Sequence, residues 1–355
     1  MSQISTLINC PQLQSQINNT FGADPTKYNE GVPFTQFVLS DFNTSNTEQK
    51  LSSRTAPGGG KRREVELVYS PRLSESGVSN STGREDCTST NQVGELSELY
   101  TIGDTYIQED ILIDPMHLID KCQDNASYFA DKMMQLIDVM DRTLETKLVN
   151  SLALLNGTFA VGEPDVTVKT KTVKTARASA QGSGLDTNAW VQTVQATRYA
   201  GYPTAPIVFA SRAYEEYARS IQAGCCYADW GYDVSKLAAD YGQAVLGGYR
   251  FDNAFGTNQY MTAAAGALQL LEWQEYEGPR GINVVDTEVY KQTVLISPRT
   301  GAKYDIKMNM DCNGKISIFA RKYYKLVTMP TDVFLLDDRL SGVNRVNLFK
   351  ITNPA

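Results

Sequence analysis

The sequence predicts an α+β fold, and three features carry that prediction. A run of apolar residues at three- and four-residue steps continues far longer than in an ordinary globular helix. Short apolar-alternating segments crowd the last third of the chain and are separated by tight-turn signals. Between these lies a region where helix and strand patterns are mixed. At 355 residues the chain is long enough for two domains, or for one domain with large excursions.

Residues 1–60 are rich in Asn, Gln, Ser and Thr, carry isolated aromatics (Phe21, Tyr28, Phe34, Phe37, Phe42) and show no sustained helical or strand period. Such a segment is expected to lie as an extended arm on something else. It closes at Ala56-Pro57-Gly58-Gly59-Gly60. From Arg63 the pattern alternates, with Val65, Leu67 and Tyr69 on one face and Glu64, Glu66 and Val68 on the other, which is the period of a half-exposed strand. A polar, turn-rich stretch over 71–94 follows. Leu96, Leu99, Tyr100, Ile102, Tyr106, Ile107 and Ile111 then mark a returning strand, so residues 61–113 are expected to form one long hairpin.

Asp114-Pro115 predicts a short helix to about Cys122. A second helix follows, with Phe129, Met133, Leu136, Ile137, Met140, Leu144, Leu148, Leu152 and Leu155 on its apolar stripe and Asn156-Gly157 as its stop. At ~30 residues and 1.5 Å per residue it is a beam of ~45 Å. Val166, Val168 and Val173 suggest a strand before a small-residue loop at 178–184. Asp186 and Ser211 open two further helices, and Ile207–Ala210 is a buried strand. Residues 244–251 are strand-like, and 263–273 are expected to be helical. Strands at 294–296, 304–310 and 316–319 form an antiparallel meander, joined by Ser297-Pro298-Arg299-Thr300-Gly301 and by the hairpin signal Asn313-Gly314.

Chemistry that would mark an enzyme is thin. Gly58-Gly59-Gly60-Lys61 lacks the first glycine of a phosphate-binding loop, and Arg62 stands where Ser or Thr would hold magnesium. Gly182-Ser183-Gly184 is not a nucleophile elbow. His117 is the only histidine, which excludes a histidine-rich metal site and leaves one centre around which a nucleophile–histidine pair could form; beside Pro115 it reads as structural. Asp337-Asp338 and Glu85-Asp86 read as solvated turn carboxylates, and Lys169, Lys171, Lys174 and Arg177 as a basic strand edge that discourages aggregation. Six scattered cysteines without a CxxC pair indicate neither zinc nor a disulfide framework. No catalytic, cofactor-binding or metal residues are assigned, and the chain is expected not to be an enzyme. A net charge of −7 argues against tight nucleic-acid binding. The N-terminus lacks the pattern of a signal peptide, and no apolar stretch reaches ~18 residues, so no membrane role is expected.

The order of parts resembles the HK-ninety-seven-type major capsid proteins of tailed bacteriophages. The segment 63–71 looks like the outgoing E-loop strand, and 131–155 with Asn156-Gly157 like the spine helix. Residues 297–305, 311–315 and 325–330 are similar to C-terminal strands of such proteins from phages of Bacteroidetes hosts. The resemblance implies an N-terminal arm (1–60), an E-loop hairpin (61–113), a spine helix with the first part of a peripheral domain (114–185), an axial domain (186–290) and peripheral-domain strands with the C-terminus (291–355). It also implies homo-oligomeric pentamers and hexamers in an icosahedral shell around double-stranded DNA, assembled in a host cytoplasm with scaffolding and portal proteins. Arg63, Tyr69, Arg72, Arg84 and Glu85 are then the expected subunit-interface residues of the E-loop. The absence of lysine from 62 to 111 argues against the E-loop cross-link that some members form. No long helical prefix precedes the arm, which implies a separate scaffolding protein or a prefix already removed. An encapsulin-like compartment shares the expected fold, and a Tyr-rich adhesive module is the alternative from another class.

Overall fold

The computed structural model describes residues 10–23, 27, 31–40, 47–55, 61–69, 95–103, 105–114, 125–155, 170–174, 207–210, 245–255, 259–263, 266–275, 290–312, 314–328 and 346–352. Outside them lie the expected helices at 115–122, 186–196 and 211–221, the loop at 178–184, Asn156-Gly157, Asn313, Val166, Val168, His117, Asp337-Asp338 and the hairpin tip. The chain is a mixed helix-and-sheet protein.

The apolar stripe on the long helix specifies the main core. Helix α3 (Asn125–Leu154) runs for 30 residues. It buries Phe129, Met133, Leu136, Ile137, Met140, Leu144, Leu148 and Leu152. Their partners lie on one face of a five-stranded antiparallel sheet with the order β10 (Tyr290–Ile296), β11 (Lys303–Met310), β12 (Ile316–Thr328), β4 (Tyr106–Ile113). Strand β9 (Leu268–Trp273) continues the β11 edge along the far half of β12, opposite β4. Tyr304, Ile306, Met308, Ile316, Ile318 and Ala320 supply the sheet side of this core. Each fully buried large aliphatic contributes about 1.5–3 kcal/mol. The predicted meander is present, with longer strands than the turn signals delimit. Gly301 (φ +77°) supplies the left-handed position that lets its N–H reach the Ser297 carbonyl at 2.9 Å.

Four expectations are corrected. First, residues 1–60 contain helix α1 (Cys10–Ala23), helix α2 (Pro33–Leu39) and strand β1 (Thr47–Thr55). Phe34 and Phe37 are core residues, meeting Phe209 at ring-centroid distances of 5.1 and 5.6 Å. The two helices are short and lean on α3, and β1 pairs with β2, so their order comes from tertiary contact rather than from a period of their own.

Second, the returning stretch is two strands. Strand β3 (Leu96–Thr101) belongs to a three-stranded sheet β1-β2-β3, with β2 at Lys61–Tyr69, while β4 belongs to the five-stranded sheet. Gly103, at φ +65°, makes the break.

Third, residues 263–273 are not helical: they hold the end of strand β8 (Gln259–Ala263) and β9. Leu268 and Leu270 join the α3 core while Leu271 and Trp273 join a second cluster. Burial on both faces erases the two-residue alternation and leaves a run that reads equally as helix. Fourth, residues 244–251 split into strand β7 (Val245–Gly247) and helix α4 (Tyr249–Phe255), which places Phe251 and Phe255 on one face.

The third sheet, β5-β13-β8-β6-β7, is mixed, with β5 at Thr170–Lys174, β6 at Ile207–Ala210 and β13 at Val346–Thr352. All four residues of β6 are buried, as expected for a fully covered strand.

Candidate functional site

The ribbon β1-β2-β3 is anchored at its root. Alternation on β2 turns Val65, Leu67 and Tyr69 onto Leu271, Trp273, Tyr323 and Val327, forming a second core distinct from the one under α3. Arg63 shares that face. Its guanidinium lies 3.9 Å from the Tyr323 ring centroid and donates to the Gly103 carbonyl at 3.4 Å. The Lys325 ammonium donates to the Thr101 carbonyl at 3.1 Å, and the Gln49 amide to the Leu270 carbonyl at 3.1 Å. β3 is different. It pairs with β2 over Leu96–Thr101, yet five of its six residues are exposed, with Leu96 and Leu99 at 43% and 44%.

Beneath the ribbon, α3 is clamped by two buried carboxylates one turn apart. Asp141 accepts from the Tyr304 hydroxyl at 2.6 Å, the Ser297 hydroxyl at 2.7 Å and the Thr300 hydroxyl at 3.1 Å. The Arg299 guanidinium lies 3.3 Å from Asp141 and 2.8 Å from Asp138. The β10–β11 turn is thus bolted to the helix by side chains that the turn itself supplies. Glu145 accepts from the Phe34 and Thr35 N–H groups at 3.0 and 2.6 Å and from the Thr35 hydroxyl at 2.7 Å. It thereby serves the open first-turn amides of α2. Arg250, from α4, donates to the Thr146 hydroxyl and to the Gly31 carbonyl on either side of that contact. Burial raises both carboxyl pKa values above the ordinary range, against the lowering pull of these donors. Burial, then the neighbouring Asp141 charge, pushes the Tyr304 hydroxyl well above its ordinary 10.0.

The sheet face opposite α3 carries a shallow depression lined by Gln108, Glu275, Asp305, Lys307, Phe319 and Arg321. Arg321 donates to Gln108 at 2.6 and 2.9 Å and to the Tyr323 hydroxyl at 2.9 Å, so its charge is engaged within the chain. Lys322, fully buried on the helix side, pairs with Glu272 and donates to the Lys303 carbonyl. Among the described residues no group of three or more His, Cys, Asp or Glu is placed to hold a metal ion, and no helix is long and apolar enough to cross a membrane.

Of the expected interface residues, Arg63 and Tyr69 lie on one face of β2 near its two ends, and both pack within their own chain; Arg72, Arg84 and Glu85 lie outside the described residues. Sequence reasoning missed Asp141, Glu145, Arg250, Arg299 and Tyr304. One signal was present: Asp141 and Glu145 fall on the apolar stripe, four residues apart and beside Met140, Leu144 and Leu148. An acid at such a position must find buried donors.

No family model matches the chain, and no curated protein matches it. Solved structures do. A cyanophage A-1(L) capsid asymmetric unit aligns over 90% of this chain and 92% of its own, with 11% identity and a TM-score of 0.48. A structure from Mycobacterium phage Che8 aligns over 86% and 94%, with 13% identity and a TM-score of 0.43. The capsid of a native GTA particle aligns over 87% and 86%, with 13% identity and a TM-score of 0.41.

Proposed function

We propose that this chain is a structural subunit of a tailed-phage head, with an HK-ninety-seven-like fold, that assembles with itself into pentamers and hexamers around double-stranded DNA. The observation that carries the reading is the contrast across the ribbon: β2 is cemented to its own chain, while β3 presents leucines on a strand that, among the described residues, pairs along one edge only. A two-stranded excursion beyond such a root needs support from elsewhere, and further copies of the chain supply it. The clamps on α3 fit the same role. They make a stiff subunit whose helix, sheet and N-terminal elements move together.

In this reading α3 is the spine helix, residues 1–60 the arm apart from β1, 61–113 the E-loop apart from β4, 114–185 the spine with the first peripheral segment, 186–290 the axial domain apart from β9, and 291–355 the peripheral strands apart from β13; β1 joins the ribbon, β4 and β9 the peripheral sheet and β13 the third sheet. Arg72, Arg84 and Glu85 provide the mixed-charge contacts to a neighbouring copy, and Arg63 and Tyr69 fix the base from which they project. Scaffolding and portal proteins are the remaining partners. The chain performs no catalysis, and the finished location is the virion, built in the host cytoplasm.

Negative-stain microscopy tests this on two samples, the full chain and a variant with residues 71–92 replaced by a short Gly-Ser turn. Closed shells or hexagonal capsomers are expected from the first. From the second, soluble subunits with an unchanged cooperative melt are expected. A full chain that stays a monomer at high concentration, or a shortened chain that still closes normal shells, contradicts the proposal. Shells that enclose a cargo protein in place of DNA would assign the chain to an encapsulin-like compartment instead.

A further inference from the structure

We propose that the free edge of β3, from Glu95 to Leu99, pairs antiparallel with the same edge of a second copy about a two-fold axis at Ser97. The inference rests on the shell reading only for the presence of neighbouring copies; the pairing itself follows from backbone phase.

The Ile102 N–H donates to the Arg63 carbonyl at 2.9 Å, which fixes the hydrogen-bonding phase of the β2–β3 ladder. With Val65 opposite Tyr100 and Leu67 opposite Glu98, the backbone groups of residues 96, 98, 100 and 102 point toward β2. Those of 97, 99 and 101, and of Glu95 one step before the strand, point to the other edge. No described strand pairs there. The Thr101 carbonyl on that edge already accepts from Lys325. The edge left open is therefore 95–99, and its centre is Ser97.

A two-fold at Ser97 sets Ser97 against its own counterpart and Leu99 against Glu95. Each outward N–H and C=O in the run then meets a partner, with two hydrogen bonds per pair. Leu96 falls opposite Glu98, so no carboxylate faces another and each exposed leucine gains a side-chain stem beside it. A two-fold at Leu99 would instead require the Thr101 carbonyl that Lys325 occupies. An edge strand with exposed leucines and no Lys or Pro is otherwise a liability that proteins blunt. Covering it with a second copy removes the liability and turns it into a contact.

The test uses the full chain carrying Ser97→Cys, treated with a short bis-maleimide both in assembled particles and in solution, with linked peptides identified by mass spectrometry. The parent chain controls for its own six cysteines. A link between position 97 of two copies is expected. No link, or a link from position 97 to a different segment, overturns the pairing. Shells that form without the homotypic link leave the shell reading intact and sink this one; a link found in solution without shells does the reverse. Ser97→Pro gives a second handle. It deletes an N–H that points away from β2, which an edge position tolerates, so the subunit should melt as the parent does while pairing is lost. Normal pairing by that folded variant overturns the inference.

Discussion

Strands β2 and β3 lie side by side and have similar apolar content, yet they have opposite fates. Val65, Leu67 and Tyr69 on β2 are sealed against Leu271, Trp273, Tyr323 and Val327. Leu96 and Leu99 on β3 stay open to solvent. The difference lies in what stands beneath each strand. β2 crosses the far half of β12 and β9, whereas β3 pairs with the outer edge of β2 and, among the described residues, with no further strand. One chain therefore holds a covered strand beside an open one, and under the proposed shell role substitutions in the two should separate stability from assembly.

The covered part should break first and hardest. Leu144 is fully buried between the two clamps on α3. Leu144→Asp places an unpaired carboxylate there, at a cost of about 5 kcal/mol, comparable to the whole stability of many domains. Insoluble protein is expected, and a soluble variant with the parent's melting temperature would show that α3 faces elsewhere. Asp141→Ala should cost about 3–5 kcal/mol in urea unfolding, because it strands three hydroxyl donors in the core and leaves the buried Arg299 with Asp138 but without Asp141. A loss under about 1 kcal/mol would mean the clamp is peripheral.

The clamps also fix the sign of a pH effect. Folded Asp141 and Glu145 have pKa values raised above the ordinary 3.8 and 4.5. Folding thus favours their protonated forms. The stabilisation from each is fully present below its ordinary value and is lost as pH rises through the raised folded value. Denaturant midpoints of the parent, taken relative to an Asp141→Asn, Glu145→Gln variant, should fall across that window; a rising difference would contradict the assignment. Arg299 faces Asp141 and Arg250 faces Glu145 as the neighbouring cations.

The smallest expected effect sits at the junction of the two parts. Arg63→Ala removes the contact over Tyr323 and the hydrogen bond to Gly103, and about 1 kcal/mol should be lost in thermal or urea unfolding. A loss of assembly at unchanged stability would instead put Arg63 on the intersubunit surface.

The sequence made the covered part readable where one element's pattern was sufficient. The α3 stripe, the β2 alternation, the buried strand β6 and the late meander were all visible, because each is set by local periodicity and turn chemistry. It hid what depends on a distant partner. Helix α2 owes its start to Glu145, 110 residues away from Thr35, and nothing within 33–39 announces that. β9 looked helical because it is buried on both faces, and the returning strand looked continuous because the break at Gly103 is one residue of backbone geometry. The clamp residues were in plain view on the α3 stripe and in the turn after β10. Backbone pattern alone does not reveal them, because their role depends on where a buried charge finds its donors.

Hydrogen exchange of the full chain, measured before and after assembly, tests the central claim most directly, that one strand of the ribbon is finished by its own subunit and the next by another copy. Slow exchange is expected at β2 and β12 in both states. The outward amides at Ser97 and Leu99 should exchange quickly in the free subunit and become strongly protected in the assembly. Protection of Ser97 and Leu99 already present in the free subunit, or still missing after assembly, would contradict it.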